Sequence, residues 1–176
     1  MGAVEDRLAE LGFSVPDVAK PVASYVPAVR TGSYVYTSGQ LPMRDGQLIT
    51  TGKVGVAVSP DEAAMCAQQC ALNAIAAVKA ELGDLDAVKR VVKVVCFVAS
   101  EPEFTGQPQV ANGASDLLGR AFGEVGVHAR SAVGMASRGI MPSYIPGGVT
   151  SQPLVLMGWS IKPPCPTFRT FFILCR

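Results

Sequence analysis

Apolar positions in the chain follow a helical period, then a two-residue period, then a helical period again, and each change marks an element. Val4, Leu8 and Leu11 predict a short helix over residues 4–11 that Gly12 stops, and Pro16 and Pro21 make the next stretch a connector. Residues 24–41, SYVPAVRTGSYVYTSGQL, read as a β-hairpin with its turn at Thr31-Gly32 and its second strand ending at Ser38-Gly39. A loop over 43–47, with Asp45-Gly46 as turn residues, leads to a short strand near 48–51. Ser59-Pro60-Asp61-Glu62 is a helix start: a serine cap, a proline in the first turn and two acids there. That helix should run to about Leu82 and stop at Gly83, packing Ala64, Ala67, Ala71, Leu72, Ile75, Val78 and Leu82.

Residues 85–100 begin as a turn and become the longest strand, because six valines and Phe97 disfavour a helix there. A loop over 101–108, a second helix over 110–122 and a turn over 123–127 lead to a strand over 128–136. Hairpin and strand, helix, strand, helix, strand predicts an α+β sandwich, with two helices on one face of a sheet.

Composition changes the picture after residue 136. The last forty residues hold none of the fourteen acidic residues, four of the fifteen Lys and Arg, six of the thirteen prolines and the lone tryptophan. The division expected is therefore a domain over 1–136 and an atypical acid-free extension over 137–176, either an accessory segment or the product of a change of reading frame. Within it, 149–161 has the makings of a strand or two, and 162–166 leans to polyproline II.

A net charge of +1, with Lys and Arg spread singly, gives no electrostatic footprint for nucleic acid. No apolar run approaches the roughly 20 residues that span a bilayer, and the acidic amphipathic start is unlike a secretory leader. The expectation is a cytoplasmic protein. Five cysteines without paired spacing fit reduced thiols. Cys66 and Cys70 share a helix face, but no histidine or acid completes a metal site, and packing is the stronger reading.

Arg130 is the residue that asks for chemistry. In HARSAVGMA, over residues 128–136, alternation puts His128, Arg130, Ala132 and Gly134 on one face, so a guanidinium stands among small neighbours. It cannot lose its proton, and its planar fork matches a carboxylate. A small carboxylate ligand is the functional reading. An Arg paired with an acid of the protein, at a strand edge or interface, is the structural one. His128 is the lone histidine, which excludes a two-histidine nuclease and disfavours a Ser-His-Asp triad. A surface or interface position suits it better than the rim of the pocket.

PVASYVPAVRTGSYVYTSGQLP at 21–42, ALNAIAAVKAELGDLDAV at 71–88, VVKVVCFVAS at 91–100, QPQVANGASDLLGRAFG at 107–123 and HARSAVG at 128–134 occur in that order. Together they resemble the reactive intermediate deaminase family, also called RidA, YjgF or endoribonuclease L-PSP-like proteins. The resemblance implies a chorismate mutase-like fold with a mixed sheet, and a homotrimer with pockets between subunits. It also implies hydrolysis of enamines and imines such as 2-aminoacrylate and 2-iminopropionate to 2-oxo acids and ammonia.

By the same resemblance Arg130 clamps the substrate carboxylate. Tyr25 and Ser38 hydrogen-bond around the water or nitrogen, and Gly39, Ala132 and Asn112 line the pocket; no metal or organic cofactor is implied. Each has a plainer reading: Tyr25 an interface aromatic, Ser38 a strand-end turn residue, Asn112 a helix cap. Two positions depart from the family pattern. Ala132 stands where a cysteine often follows the arginine, and the tail offers no carboxylate where the family's last strand carries a glutamate. A non-catalytic, small-carboxylate-binding regulatory trimer is therefore the alternative, and an endoribonuclease or translation inhibitor is third.

Overall fold

The computed structural model describes residues 2–18, 24–135 and 154–161. Helix α1 (Ala3–Glu10) takes its cap from a distant residue, because the Asp86 carboxylate accepts from the backbone N–H groups of Ala3 (2.7 Å) and Val4 (3.0 Å). Strands β1 (Ala28–Thr31) and β2 (Tyr34–Thr37) form the expected hairpin. The next segment differs from expectation. Instead of a loop and one strand near 48–51, β3 (Met43–Arg44) and β4 (Gln47–Leu48) make a two-stranded hairpin of their own around Asp45-Gly46. Asn73 holds it down by donating to the carbonyls of Leu41 (2.9 Å) and Met43 (3.0 Å), contacts that lie outside any local pattern.

Helix α2 (Pro60–Leu82) starts where its capping residues say. Ser59 Oγ accepts from the Glu62 N–H (3.2 Å) and Glu62 Oε2 accepts from the Ser59 N–H (2.9 Å), while Gly83 ends it at φ 77°. Its buried face is broader than the expected stripe: every residue from Cys70 to Val78 is buried. Strand β5 (Val88–Ala99) follows, then α3 (Gln107–Phe122), which begins three residues earlier than expected. Pro108 lacks an N–H that the first turn would leave unpaired anyway. A 3-10 turn over Gly123–Gly126 leads into β6 (Ala129–Met135).

The last described element, β7 (Leu154–Ile161), belongs to the main sheet, whose order is β1-β2-β7-β5-β6. It is antiparallel to both neighbours, while β5 and β6 are parallel and joined through α3. Val155, Met157, Trp159 and Ile161 are buried, with Trp159 against Phe122 at 5.3 Å between ring centroids. For this segment the expected close of the domain at residue 136 does not hold, because β7 supplies an interior strand. The expected polyproline II stretch lies outside the described residues.

Helices α2 and α3 cover one face of the sheet and enclose the core with Val35, Val91, Val94, Cys96 and Val98. They cross closely at Gly113, where a Cβ would overlap the Ala64 carbonyl. On the other face Val29 (52% exposed), Tyr36 (47%) and Val133 (39%) stand open, so among the described residues that side of the sheet presents an apolar surface. No helix among the described residues is long and apolar enough to cross a membrane.

Candidate functional site

Strand β6 is the sheet's edge, and its register decides what Arg130 faces. Arg130 lies opposite Val94, Ala132 opposite Cys96 and Gly134 opposite Val98, three β5 residues buried toward the helices. Arg130 therefore points to the helix side, along the flank of α3. There Asn112 and Ser115, one helical turn apart, meet it. Arg130 Nη1 donates to Asn112 Oδ1 (2.8 Å) and to Ser115 Oγ (3.0 Å).

The chain of contacts continues inward. Ser115 Oγ is 3.0 Å from His128 Nε2, and His128 Nδ1 is 2.6 Å from the Gly126 carbonyl. A carbonyl only accepts, so Nδ1 carries the hydrogen; Nε2 of the neutral ring then accepts from the Ser115 hydroxyl. Burial, aided by the positive charge of Arg130, pushes the His128 pKa below its usual value and so favours the neutral ring, while the hydrogen bond to the Gly126 carbonyl pulls the other way.

These contacts use both Nη1 hydrogens of Arg130. Among the described residues its Nε–Nη2 edge has no partner, and the ion pairs lie elsewhere, Lys53 with Glu101 and Lys79 with Glu5. No acid among the described residues pairs with Arg130, so the structural reading of a protein ion pair finds no partner there. Beside the guanidinium the floor is small, with Ala132 half-buried and Gly134 exposed. Beyond Gly134 stands Gln107, whose Nε2 is close to that glycine and donates to the Phe104 carbonyl (2.5 Å).

Of the other residues singled out in the sequence, Asn112 joins Arg130 directly, and it sits in the second turn of α3 rather than capping it. Ala132 is two residues along the same face. Tyr25, Ser38 and Gly39 do not come to Arg130 within one chain. They adjoin β1 and β2, and three interstrand steps, roughly 14 Å at about 4.8 Å each, separate β2 from β6. Ser38 Oγ donates to the Val26 carbonyl (2.5 Å) and closes the foot of the hairpin, while Tyr25 is 38% exposed.

His128, expected at the surface or at an interface, is half-buried within the chain and engaged on both ring nitrogens. Ser115 was not singled out at all. Its signal is the three-residue offset from Asn112 on a helix that flanks an alternating strand. Cys66 and Cys96 are buried, which raises their thiol pKa values to about 11 and about 12, and Cys70 is raised too, so all three pack as neutral thiols.

The model of YjgF/chorismate mutase-like proteins, a family to which an endoribonuclease label is attached, matches residues 5–144. The chain belongs to the YjgF/chorismate mutase-like family. Among YjgF-like relatives, Protein TCP17 of Trypanosoma cruzi is 48% identical over 136 residues, 77% of this chain and 85% of that protein. The solved structure of Atu1372 from Agrobacterium tumefaciens, a protein of unknown function, is 43% identical with a TM-score of 0.77, covering 90% of this chain and 92% of its own. RidA from an Antarctic Psychrobacter is 22% identical with a TM-score of 0.53, over 82% of this chain and 94% of its own, a likeness of fold.

Proposed function

We propose that this YjgF-family chain is a cofactor-independent, cytoplasmic deaminase that hydrolyses small 2-imino acids to 2-oxo acids and ammonia. The observation that carries the reading is Arg130. Its guanidinium is held by two neutral acceptors at Nη1, and among the described residues its Nε–Nη2 edge has no partner and no acid neutralises it. A carboxylate is the partner that edge fits.

With the carboxylate held, the imine carbon has one place to sit and water needs only to be delivered to it. Water adds to the C=N carbon and one of its protons passes to nitrogen; the resulting carbinolamine then gives its hydroxyl proton to the nitrogen as the C–N bond breaks and the C=O bond forms, leaving the 2-oxo acid and ammonia. Orientation supplies much of the rate in such a step. The water-directing groups of this proposal are Ser38 and Tyr25, with Gly39, Ala132 and Asn112 as pocket wall.

Since Ser38 and Tyr25 stand at the opposite sheet edge, the complete pocket is proposed to need a second subunit. The open apolar sheet face, with Val29, Tyr34, Tyr36 and Val133, supports self-association, and we assign it to a homotrimer. The test is release of 2-oxo acid from freshly generated 2-aminoacrylate, with turnover expected from the chain and lost in Arg130→Ala.

A second reading has its own observation. β7 carries no acid between Leu154 and Ile161, so this strand provides no carboxylate to hold a water. A trimer that binds small carboxylates without turning them over would bind 2-oxo acids through Arg130 yet leave imine decay unaccelerated.

A further inference from the structure

Resting on the reading of Arg130 as the carboxylate clamp, we infer that Ser115 and His128 are the residues that aim it. The guanidinium is not held by a charge. Its Nη1 is gripped by Asn112 Oδ1 at 2.8 Å and Ser115 Oγ at 3.0 Å, and the serine oxygen is available only because its own hydrogen is directed away. His128 Nε2, 3.0 Å from Ser115 Oγ, takes that hydrogen. The ring is set to do so because its Nδ1–H is tied to the Gly126 carbonyl at 2.6 Å.

Each link has one direction. Gly126 accepts from Nδ1, so Nε2 accepts from Ser115, so Ser115 accepts from Arg130. Gly126 itself lies tight on α3, where a Cβ would overlap the Leu118 carbonyl, so the origin of the chain is anchored to the helix that carries Ser115 and Asn112. The guanidinium plane is thereby fixed from α3 at both Nη1 hydrogens, and among the described residues no acid competes for the opposite edge. An acidic partner in the place of Ser115 would hold the arginine as firmly and neutralise it. A hydroxyl polarised by a neutral imidazole holds it and leaves the charge for the ligand.

Ser115 and His128 are positioning residues, and their effects should be coupled. The experiment is a double-mutant cycle on the full chain, reading pyruvate affinity and, with the imine substrate, KM and kcat. Ser115→Ala and His128→Leu should each weaken pyruvate binding roughly three- to tenfold. The double variant should be no weaker than the worse single one. Ser115→Thr, which keeps the hydroxyl, and His128→Gln, which keeps an acceptor, should restore most of the affinity, and KM should move more than kcat.

Nitrogen NMR of the ligand-free protein gives a second readout. His128 should show hydrogen on Nδ1 and an accepting Nε2, and rotation of the Arg130 guanidinium should speed up in Ser115→Ala and in His128→Leu. Additive losses in the cycle, or hydrogen on Nε2, would overturn the inference. If the wild type binds no pyruvate, the carboxylate reading fails, and the guanidinium rotation rates still decide whether Ser115 and His128 hold Arg130.

Discussion

His128 carries a cost in protonation that can be measured. Burial and the Arg130 charge lower its pKa in the folded chain, and the Gly126 carbonyl opposes them. The unfolded chain therefore takes up the proton first as pH falls. The contribution of the neutral ring is fully present above its usual pKa near 6.5 and is lost as pH drops through the lower folded value. Urea unfolding midpoints should fall between pH 7.5 and 5.5 more steeply for the wild type than for His128→Gln, since the carboxylates contribute alike to both. Equal slopes would mean that the imidazole is not held neutral. Arg130 and Asn112 were readable in the sequence from alternation, charge and resemblance. Ser115 was not, because its role arises where a helix face meets a strand face, and neither pattern alone describes that meeting.

Among the elements, the α2–α3 crossing depends on one missing side chain. Gly113→Ala would drive a methyl into the Ala64 carbonyl and should destabilise the fold by about 1–3 kcal/mol. Gly119, on the same helix, has nothing within 4 Å of an added Cβ, so Gly119→Ala should stabilise by about 0.4–1 kcal/mol. Denaturant titrations of the two variants should therefore move in opposite directions, and a shared direction would contradict the close crossing. The local signals told the truth about these elements: the Ser59–Glu62 box and Gly83 bound α2 where they should. Long-range contacts were hidden. Asp86 caps α1 across more than eighty residues of chain, and Asn73 pins the β3–β4 hairpin. β7 was obscured by its acid-free, proline-rich surroundings, although its Val155, Met157, Trp159 and Ile161 alternate as a half-buried strand should.

For the whole molecule, a sheet with helices on one side leaves the other side to be covered by something else. In the proposed trimer a second copy covers it and brings Tyr25 and Ser38 toward the Arg130 edge. Replacing Tyr36 or Val133 by Glu would place charge on that open face and should convert the assembly to monomers in light scattering. Deaminase activity should fall with it while the helical signal in circular dichroism persists. A fully active monomer would contradict the composite pocket. The central claim stands nearer the chemistry, and one assay addresses it. The rate of 2-oxo acid release from enzymatically generated 2-aminoacrylate should rise with the wild-type chain. It should fall to the uncatalysed rate with Arg130→Ala, since truncating one side of such a charge pair costs about 2–5 kcal/mol, roughly 30-fold to several thousandfold. Full turnover by Arg130→Ala would contradict the account.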